Sequence, residues 1–135
     1  MIKVHHLNNS RSQRVLWLLE ELEVPYEIIS YKRDLETNLA PEILKEVHPL
    51  GKSPVITDNG NVIIESAAIT TYIIDQYGPS DFGPNSNDHD YYKYLELMHY
   101  AEGSAMLPLL LLLYSSSLGE NAEPLMDRIS SEIHL

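Results

Sequence analysis

The chain has 135 residues, 44% of them hydrophobic and 21% charged, a composition typical of one soluble globular domain. Nine basic residues against twenty acidic ones give a net charge of −11, which makes nucleic acids and anionic membrane surfaces unfavourable partners. The chain contains no cysteine, so disulfide bonds, zinc–thiolate sites and thiol exchange carried by the protein's own side chains are excluded.

The histidines and the apolar runs limit the function further. The six histidines fit no metal-binding pattern, because His5 and His6 are adjacent on a strand and point to opposite faces, while the others are scattered. The leucine-rich run at residues 107–113 is far shorter than the ~20 residues that a membrane-spanning helix needs. The N-terminus does not resemble a signal peptide. We therefore expect a cytoplasmic protein with no metal site and no membrane span.

The first predicted elements are a strand, a helix and a second strand. Residues 2–7 alternate as a short strand, and apolar residues recur at helical spacing over residues 11–23. Ser10 fits the N-cap of this helix, with Gln13 reaching back to form a capping box. Residues 26–31 are predicted to form the next strand. This order predicts a βαβ unit in which the two strands pair in parallel.

A short helix and a β-hairpin follow. The helix is predicted over residues 40–47, after a polar connection. In the hairpin, Asn59-Gly60 lies between β-branched runs at residues 55–57 and 62–64. Asn-Gly is the strongest short-range hairpin signal, because a type I′ turn needs positive φ at both central residues. The sequence therefore predicts a tight antiparallel pair.

The two ends of the hairpin carry polar groups that the sheet leaves unpaired. Pro54 cannot donate to a strand ladder, so it stands at the beginning of its strand and leaves the backbone of Ser53 open to an extended peptide. Ser66 fits the N-cap of a helix over residues 67–77, with Glu65 beside the first free N–H groups. With this helix the element order is β-α-β-α-β-β-α, that of an α/β thioredoxin-like domain.

The stretch HPLGKSPVITDNGNVIIESAAITTYI resembles the glutathione-binding half of the glutathione S-transferase family. The resemblance implies that Pro54 is in the cis form and that the backbone of Ser53 pairs with the cysteinyl residue of glutathione. It also implies that Glu65 and Ser66 hold the γ-glutamyl group and that Lys52 approaches a glutathione carboxylate. The alternatives are an exposed loop lysine and an ordinary capped helix.

The candidate catalytic residue is Ser10, at the turn between the first strand and the first helix. The family places at this turn the hydroxyl that hydrogen-bonds the glutathione sulfur. A hydroxyl donor beside a positive helix end would favour the thiolate over the thiol. Asn9, one residue earlier in the same turn, is the alternative partner of the thiolate. A role of Ser10 as an N-cap alone also stays open.

A linker rich in Pro, Gly, Ser and Asn, residues 79–87, is the predicted domain boundary. It separates a glutathione-binding domain, residues 1–78, from a partial all-helical domain, residues 88–135. Members of the family usually have several more helices in this second domain, which also form much of the electrophile pocket. The resemblance therefore leads us to expect a fragment or a shortened product.

The helical domain is predicted to contain a long helix over residues 89–114, capped at Asp88 or the residue before it. Gly103 is expected to interrupt this helix, and Pro108 to kink or break it. A further helix is predicted to begin at Pro124. The leucine-rich part of the long helix is apolar on most sides, so it needs covering by other helices.

The sequence is thus identified as a member of the glutathione S-transferase family. The resemblance implies an enzyme that conjugates the thiolate of glutathione, its substrate, to a small electrophile, and an assembly as a homodimer. One alternative is a non-catalytic interaction module, since the same fold serves regulatory proteins. Another is glutathione-dependent peroxide reduction by the same thiolate.

Overall fold

The computed structural model describes residues 1–134, and its backbone contacts divide the chain into two units. The first unit comprises residues 1–83, and the second begins at Pro84. This division falls inside the segment 79–87 that the sequence marks as a linker. The domain limits at residues 78 and 88 themselves stay predictions.

Residues 1–83 form a sheet with two α-helices. In chain order the elements are β1 at Ile2–Leu7, α1 at Ser12–Glu21, β2 at Tyr26–Tyr31, β3 at Val55–Asp58, β4 at Asn61–Ile64 and α2 at Ser66–Tyr77. The strand order in the sheet is β2-β1-β3-β4. β1 and β2 pair in parallel, whereas β3 is antiparallel to both β1 and β4. The predicted thioredoxin-like fold is confirmed.

The core of this unit follows from the spacing of its apolar residues. They lie two apart on β1 and four apart on each helix, so each element turns one apolar face inward. Both helices and two strands contribute to one cluster of fully buried side chains. Burying each of these side chains stabilises the fold by about 1.5–3 kcal/mol. The cluster consists of Ile2, Val4, Val15, Leu19, Ile56, Ile69 and Ile73.

The hairpin is as predicted, and its turn explains why. Asn59 has φ 49° and Gly60 has φ 83°, so both central residues are in the positive region that a type I′ turn requires. The strands are one residue longer than the predicted 55–57 and 62–64.

The helix predicted at residues 40–47 is present, but it is shorter and is a 3-10 helix rather than an α-helix. Pro41 has extended backbone (φ −70°, ψ 147°), and only a short 3-10 helix follows at Glu42–Glu46. Leu44 is its buried anchor, while Ile43 is 55% exposed. A segment this short with one buried side chain does not offset the cost of nucleating an α-helix.

The first helix is shorter than the predicted residues 11–23. α1 ends at Glu21, and Glu23 adopts a positive φ of 53° two residues later. A left-handed residue just past the last turn is a common way for a helix to end. The chain then reaches β2 through Val24 and Pro25, as expected.

The second unit is helical throughout most of its described length. Its elements are α3 at Tyr91–Tyr100, a π-helical turn at Ala101–Ala105, α4 at Met106–Ser115, a 3-10 segment at Ser116–Ala122 and α5 at Glu123–Ile133. Gly103 lies in the π-helical turn, at the predicted interruption. Pro108, in the first turn of α4, has no N–H for the Ser104 carbonyl, which accounts for an interruption just before it.

The predicted cap of the long helix is wrong. α3 begins at Tyr91 after Asp90, and no side chain caps it among residues 1–134. Asp88 instead accepts a hydrogen bond from the backbone N–H of Asn85 at 2.8 Å. Its carboxylate therefore closes a turn in the preceding loop rather than the start of the helix.

The helical run Tyr91–Ile133 contains a window long and apolar enough to cross a membrane, judged by length and composition alone. The mean hydropathy of that window is 1.2. Helices in the cores of soluble proteins pass the same test, so one such run is weak support for a membrane span. The run is also not one straight helix, because Gly119 (φ 54°, ψ −134°) breaks it between α4 and α5.

Candidate active site

The hairpin register brings the candidate binding residues to one end of the sheet. Val55, the first residue of β3, pairs with Ile64, the last residue of β4. Ser53-Pro54 directly precedes β3 and Glu65 directly follows β4, so both leave the hairpin at the same end. The Ser53-Pro54 peptide bond is cis, as the resemblance implied, and Pro54 is buried.

Ser10 lies beside Ser53. The Ser10 and Ser53 Oγ atoms are 3.4 Å apart, although the two residues are 43 positions apart in the chain. The Ser53 hydroxyl also donates to the His5 carbonyl at 2.8 Å, which ties the loop before β3 to β1. The structure thus brings together the candidate catalytic hydroxyl and the residue whose backbone is expected to bind the cysteinyl group.

The capping box predicted for Ser10 and Gln13 does not form. Arg11 holds the N-cap position of α1, and no side-chain capping bond with Gln13 forms within residues 1–134. The Ser10 Oγ accepts instead from the backbone N–H of Ser12 at 3.2 Å. Ser10 therefore stands just outside the helix, where its partly buried hydroxyl still faces the positive end.

Asn9, the alternative thiolate partner, is placed differently. It is exposed, with a positive φ of 51°, and its carbonyl accepts from the Arg33 guanidinium at 2.9 Å. Arg33 also donates to the Asn8 carbonyl at 3.0 Å. These bonds hold the turn through its backbone. In this turn the Ser10 hydroxyl contacts Ser53, whereas the Asn9 side chain is exposed.

The start of α2 differs from the prediction in one detail. Ser66 is not the N-cap but the first helical residue, and it is 6% exposed. Glu65 holds the N-cap position with φ 66° and ψ 117°, and among residues 1–134 no side chain caps the first helical N–H groups. A non-glycine residue in such a conformation costs roughly 1–3 kcal/mol. The uncapped N–H groups suit a carboxylate ligand.

Lys52 lies in the loop that precedes β3. Its side chain is exposed, and it directly precedes Ser53. An exposed ammonium group on a flexible stem reaches a carboxylate as a point charge without a fixed geometry. Of the predicted residues, the structure joins Ser10 to Ser53 directly and places Glu65 and Ser66 at the same end of the hairpin.

Sequence reasoning missed two residues behind Ser10. Ser12 is fully buried, and its Oγ lies 2.8 Å from the Ser10 Oγ and 2.8 Å from the His6 Nδ1. The signal was present, because Ser12 lies three positions before Val15 on the buried face of α1, where an apolar residue would be usual. A serine on that face needs hydrogen-bond partners.

His5 is buried on β1, next to the candidate site residues. Its ring stacks on Tyr31, and its Nδ1 lies 2.8 Å from the Tyr31 hydroxyl. Burial lowers the pKa of His5, and the nearby Lys3 adds to this. Burial, with a smaller contribution from Glu46, raises the pKa of Tyr31. Both rings therefore stay neutral at physiological pH and act as packing groups.

No group of three or more His, Asp and Glu residues is arranged to hold a metal ion in residues 1–134. The polar groups gathered at the end of the hairpin are hydroxyls, backbone amides and one carboxylate. Hydroxyls and amides bind an anionic, peptide-like molecule rather than a hard cation.

Residues 1–75 match the family model described as "Glutathione S-transferase, N-terminal domain", which is more than half of the chain. The chain belongs to the glutathione S-transferase family. The matched region contains every candidate residue named above, from Asn9 to Ser66. The second unit lies outside it.

Named members of the family are similar to this chain over most of its length. Glutathione S-transferase 3 of Schizosaccharomyces pombe is 49% identical over 107 residues, which cover 78% of this chain and 43% of that protein. Glutathione S-transferase 1 of Saccharomyces cerevisiae is 35% identical over 132 residues, 92% of this chain and 55% of that protein. The chain spans about half the length of these two curated relatives.

A solved structure shows the same likeness. A glutathione S-transferase from Actinobacillus pleuropneumoniae is 35% identical, with a TM-score of 0.81. The alignment covers 98% of this chain and 62% of the transferase. The similarity therefore extends through both units of the chain.

Proposed function

We propose that this glutathione S-transferase family member binds glutathione at the end of its hairpin and conjugates the glutathione thiolate to a small electrophile. The observation that carries the proposal is the 3.4 Å contact between the Ser10 and Ser53 hydroxyls. In the family pattern one of these residues faces the sulfur and the other the cysteinyl backbone. Residues with these two roles must lie side by side, so the contact between Ser10 and Ser53 supports the proposal.

Glutathione would lie along three sets of groups. The backbone of Ser53, open because Pro54 follows it, would pair with the cysteinyl residue. Glu65 and Ser66, with the uncapped N–H groups of α2, would hold the amine and carboxylate of the γ-glutamyl residue. Lys52 would attract the carboxylate at the other end of the tripeptide.

The chemical task of the site is to ionise the bound thiol. A thiol with a pKa of about 8.5 is only ~3% ionised at pH 7, and lowering that pKa by two requires about 2.7 kcal/mol in favour of the thiolate. A hydrogen bond to a charged acceptor contributes about 1.5–3 kcal/mol. The Ser10 hydroxyl beside the positive end of α1 therefore supplies an effect of the right size.

The reaction then needs little more from the protein. The thiol proton leaves to water, and the sulfur lone pair attacks the electrophilic carbon, forming a thioether as the leaving group departs with its electron pair. The protein binds, orients and ionises the nucleophile, which glutathione supplies. The proposal includes the homodimer and the cytoplasmic location that are usual for the family.

Matched variants of the turn test the proposal. The full chain is titrated with glutathione and assayed for conjugation of chlorodinitrobenzene, as the unmodified protein, Ser10→Ala and Asn9→Gly. We expect Ser10→Ala to raise the pKa of the bound thiol and to lower the conjugation rate by roughly 10- to 100-fold, equivalent to losing about 1.5–3 kcal/mol. Asn9→Gly should change the rate by less than about threefold, since it removes an exposed side chain and glycine accepts the positive φ of Asn9.

The same experiment separates the rival functions. A chain that retains no glutathione would contradict the proposal and favour an interaction module. A chain that binds glutathione and reduces cumene hydroperoxide without conjugating chlorodinitrobenzene would favour the peroxidase. A larger loss in Asn9→Gly than in Ser10→Ala would move the catalytic role to Asn9.

A further inference from the structure

A chain of hydrogen-bonding groups runs inward from Ser10, and the conjugation chemistry as described above makes no use of it. The Ser10 Oγ is 2.8 Å from the Ser12 Oγ, which is 2.8 Å from the His6 Nδ1. We call these three residues the hydroxyl chain. Ser12 is fully buried, so it meets no solvent and cannot contact a ligand itself.

Ser53 does not donate a proton to Ser10. Its hydroxyl donates to the His5 carbonyl at 2.8 Å, so its oxygen can only accept from Ser10, and this longer 3.4 Å contact loses the Ser10 proton when Ser10 donates to the sulfur instead. The Ser12 backbone N–H, which donates to the Ser10 Oγ at 3.2 Å, occupies one acceptor position there. The second acceptor position of the Ser10 Oγ faces the Ser12 hydroxyl. Ser10 can therefore donate its proton to a bound sulfur only if the Ser12 hydroxyl donates to Ser10.

The number of hydroxyl protons determines whether the His6 Nδ1 donates or accepts a hydrogen bond. When a thiolate accepts from Ser10, three short contacts have to hold a proton: sulfur with Ser10, Ser10 with Ser12, and Ser12 with His6. The two hydroxyls carry one proton each, so they supply two of the three. The third can come only from the His6 ring. If the Nδ1 were an acceptor, two hydroxyl oxygens would face each other at 2.8 Å with no proton between them.

We propose that His6 is a positioning residue for thiol ionisation: its Nδ1–H donates to Ser12, which orients the Ser12 proton to Ser10 and the Ser10 proton outward to the sulfur. This inference rests on the proposed function. No proton is transferred along the chain, because each group keeps its own proton and only its direction is set. The longer 3.3 Å contact of the Ser12 Oγ with the Leu7 carbonyl is the competing direction.

Two substitutions of His6 distinguish the effect of its N–H donor from the effect of the space that its side chain fills. In His6→Asn the side-chain amide takes the place of the Nδ1 edge and can donate an N–H to Ser12, whereas His6→Leu fills the space without a donor. The control is His89→Asn, because the His89 side chain is 99% exposed. All are made in the full chain.

The first readout is the ultraviolet absorbance of the bound glutathione thiolate, followed against pH, with glutathione affinity measured separately by calorimetry. We expect His6→Leu to reduce the ionised fraction at pH 7 by about tenfold. His6→Asn should retain most of that fraction, and His89→Asn all of it. Glutathione affinity measured at a pH where the thiol is un-ionised should stay within about twofold in all three, since none of them touches the peptide backbone or the α2 amides.

The second readout is the tautomer of the His6 ring in the glutathione-saturated chain, from the long-range ¹H–¹⁵N spectrum of its neutral form. An Nδ1–H tautomer would support the proposal, and an Nε2–H tautomer would overturn it. Unchanged ionisation in His6→Leu, or equal losses in His6→Leu and His6→Asn, would overturn it as well. Failure of the unmodified chain to bind glutathione would instead contradict the proposed function, and with it any role of His6 toward a thiol.

Discussion

The two units of this chain use similar apolar side chains with opposite outcomes. In the first unit, Leu19 and Ile56 are 0% exposed within one cluster. In the second, Leu113 is 63% exposed and Leu118 50%, and the buried hydrophobic residues from Pro84 to residue 134 are Ala122 and Ile129. An apolar pattern predicts a helix, but burial depends on the elements that pack against it. The first unit holds such partners within its own sequence.

The candidate site follows the same division. Each residue proposed to bind or ionise glutathione lies between His6 and Ser66, within the first unit. The sheet register and hydrogen bonds within that unit set the positions of Ser10, Ser53 and Glu65. The proposed function therefore predicts that the residues of the first unit determine glutathione affinity.

The largest effect is expected from matched leucine substitutions. Leu19→Ala, in the core of the first unit, should lower the free energy of unfolding by about 2–5 kcal/mol. Leu113→Ala, on the exposed face of α4, should lower it by less than about 0.5 kcal/mol. Urea unfolding followed by circular dichroism measures both.

Equal losses of unfolding free energy in Leu19→Ala and Leu113→Ala would contradict this difference between the two units. They would mean that α4 is covered in solution, so that Leu113 is as well packed as Leu19. Size-exclusion chromatography of the unmodified chain would then show whether a second copy covers it.

A smaller effect is expected at the start of α2. Glu65→Ala or Ser66→Ala should weaken glutathione binding by at least about 1 kcal/mol, because a hydrogen bond to a charged group contributes about 1.5–3 kcal/mol and part of it can be replaced by water. The matched control is Glu123→Ala, since Glu123 lies in the first turn of α5 in the second unit. Calorimetry should show unchanged affinity for this control. Unchanged affinity in both site variants would refute their assignment.

The smallest effect concerns the opposite end of the sheet. The buried Asp58 accepts hydrogen bonds from the Tyr77 and Tyr72 hydroxyls, and the bond to Asp58 and burial raise the pKa of Tyr77 to about 12. Because this pKa lies above the unfolded value of 10.0, the neutral tyrosine stabilises the fold below pH 10, and the stability is lost as the pH rises toward 12.

Tyr77→Phe should therefore cost about 1 kcal/mol at neutral pH and flatten the fall in stability between pH 10 and about 12. The comparison variant is Tyr114→Phe, whose tyrosine is 65% exposed on α4. Urea unfolding at a series of alkaline pH values gives both curves. An identical alkaline slope in the unmodified chain and in Tyr77→Phe would show that Tyr77 does not control it.

Local signals in the sequence predicted the parts of the fold that short-range physics determines. Asn59-Gly60 gave the hairpin because only a few residue types accept positive φ at both positions. The alternation of Ile2 and Val4 gave the first strand. The helix predicted at residues 40–47 is only a short 3-10 helix, because its pattern lacks a second buried side chain to support an α-helix.

The site was predictable in part. Ser53-Pro54 and Glu65-Ser66 could be paired because the hairpin between them has a fixed register. The surroundings of Ser10 could not, since they depend on contacts between distant residues. Arg33 holds the turn from 24 positions away through the Asn9 carbonyl. Without that turn geometry, an N-cap and a ligand-facing hydroxyl are equally good interpretations of Ser10.

A crystal structure of the full chain with bound glutathione tests the central claim most directly. We predict the sulfur within hydrogen-bonding distance of the Ser10 Oγ, the cysteinyl backbone paired with Ser53, and the γ-glutamyl carboxylate at the first N–H groups of α2. Glutathione bound elsewhere, or a sulfur that contacts Asn9 and not Ser10, would contradict the account.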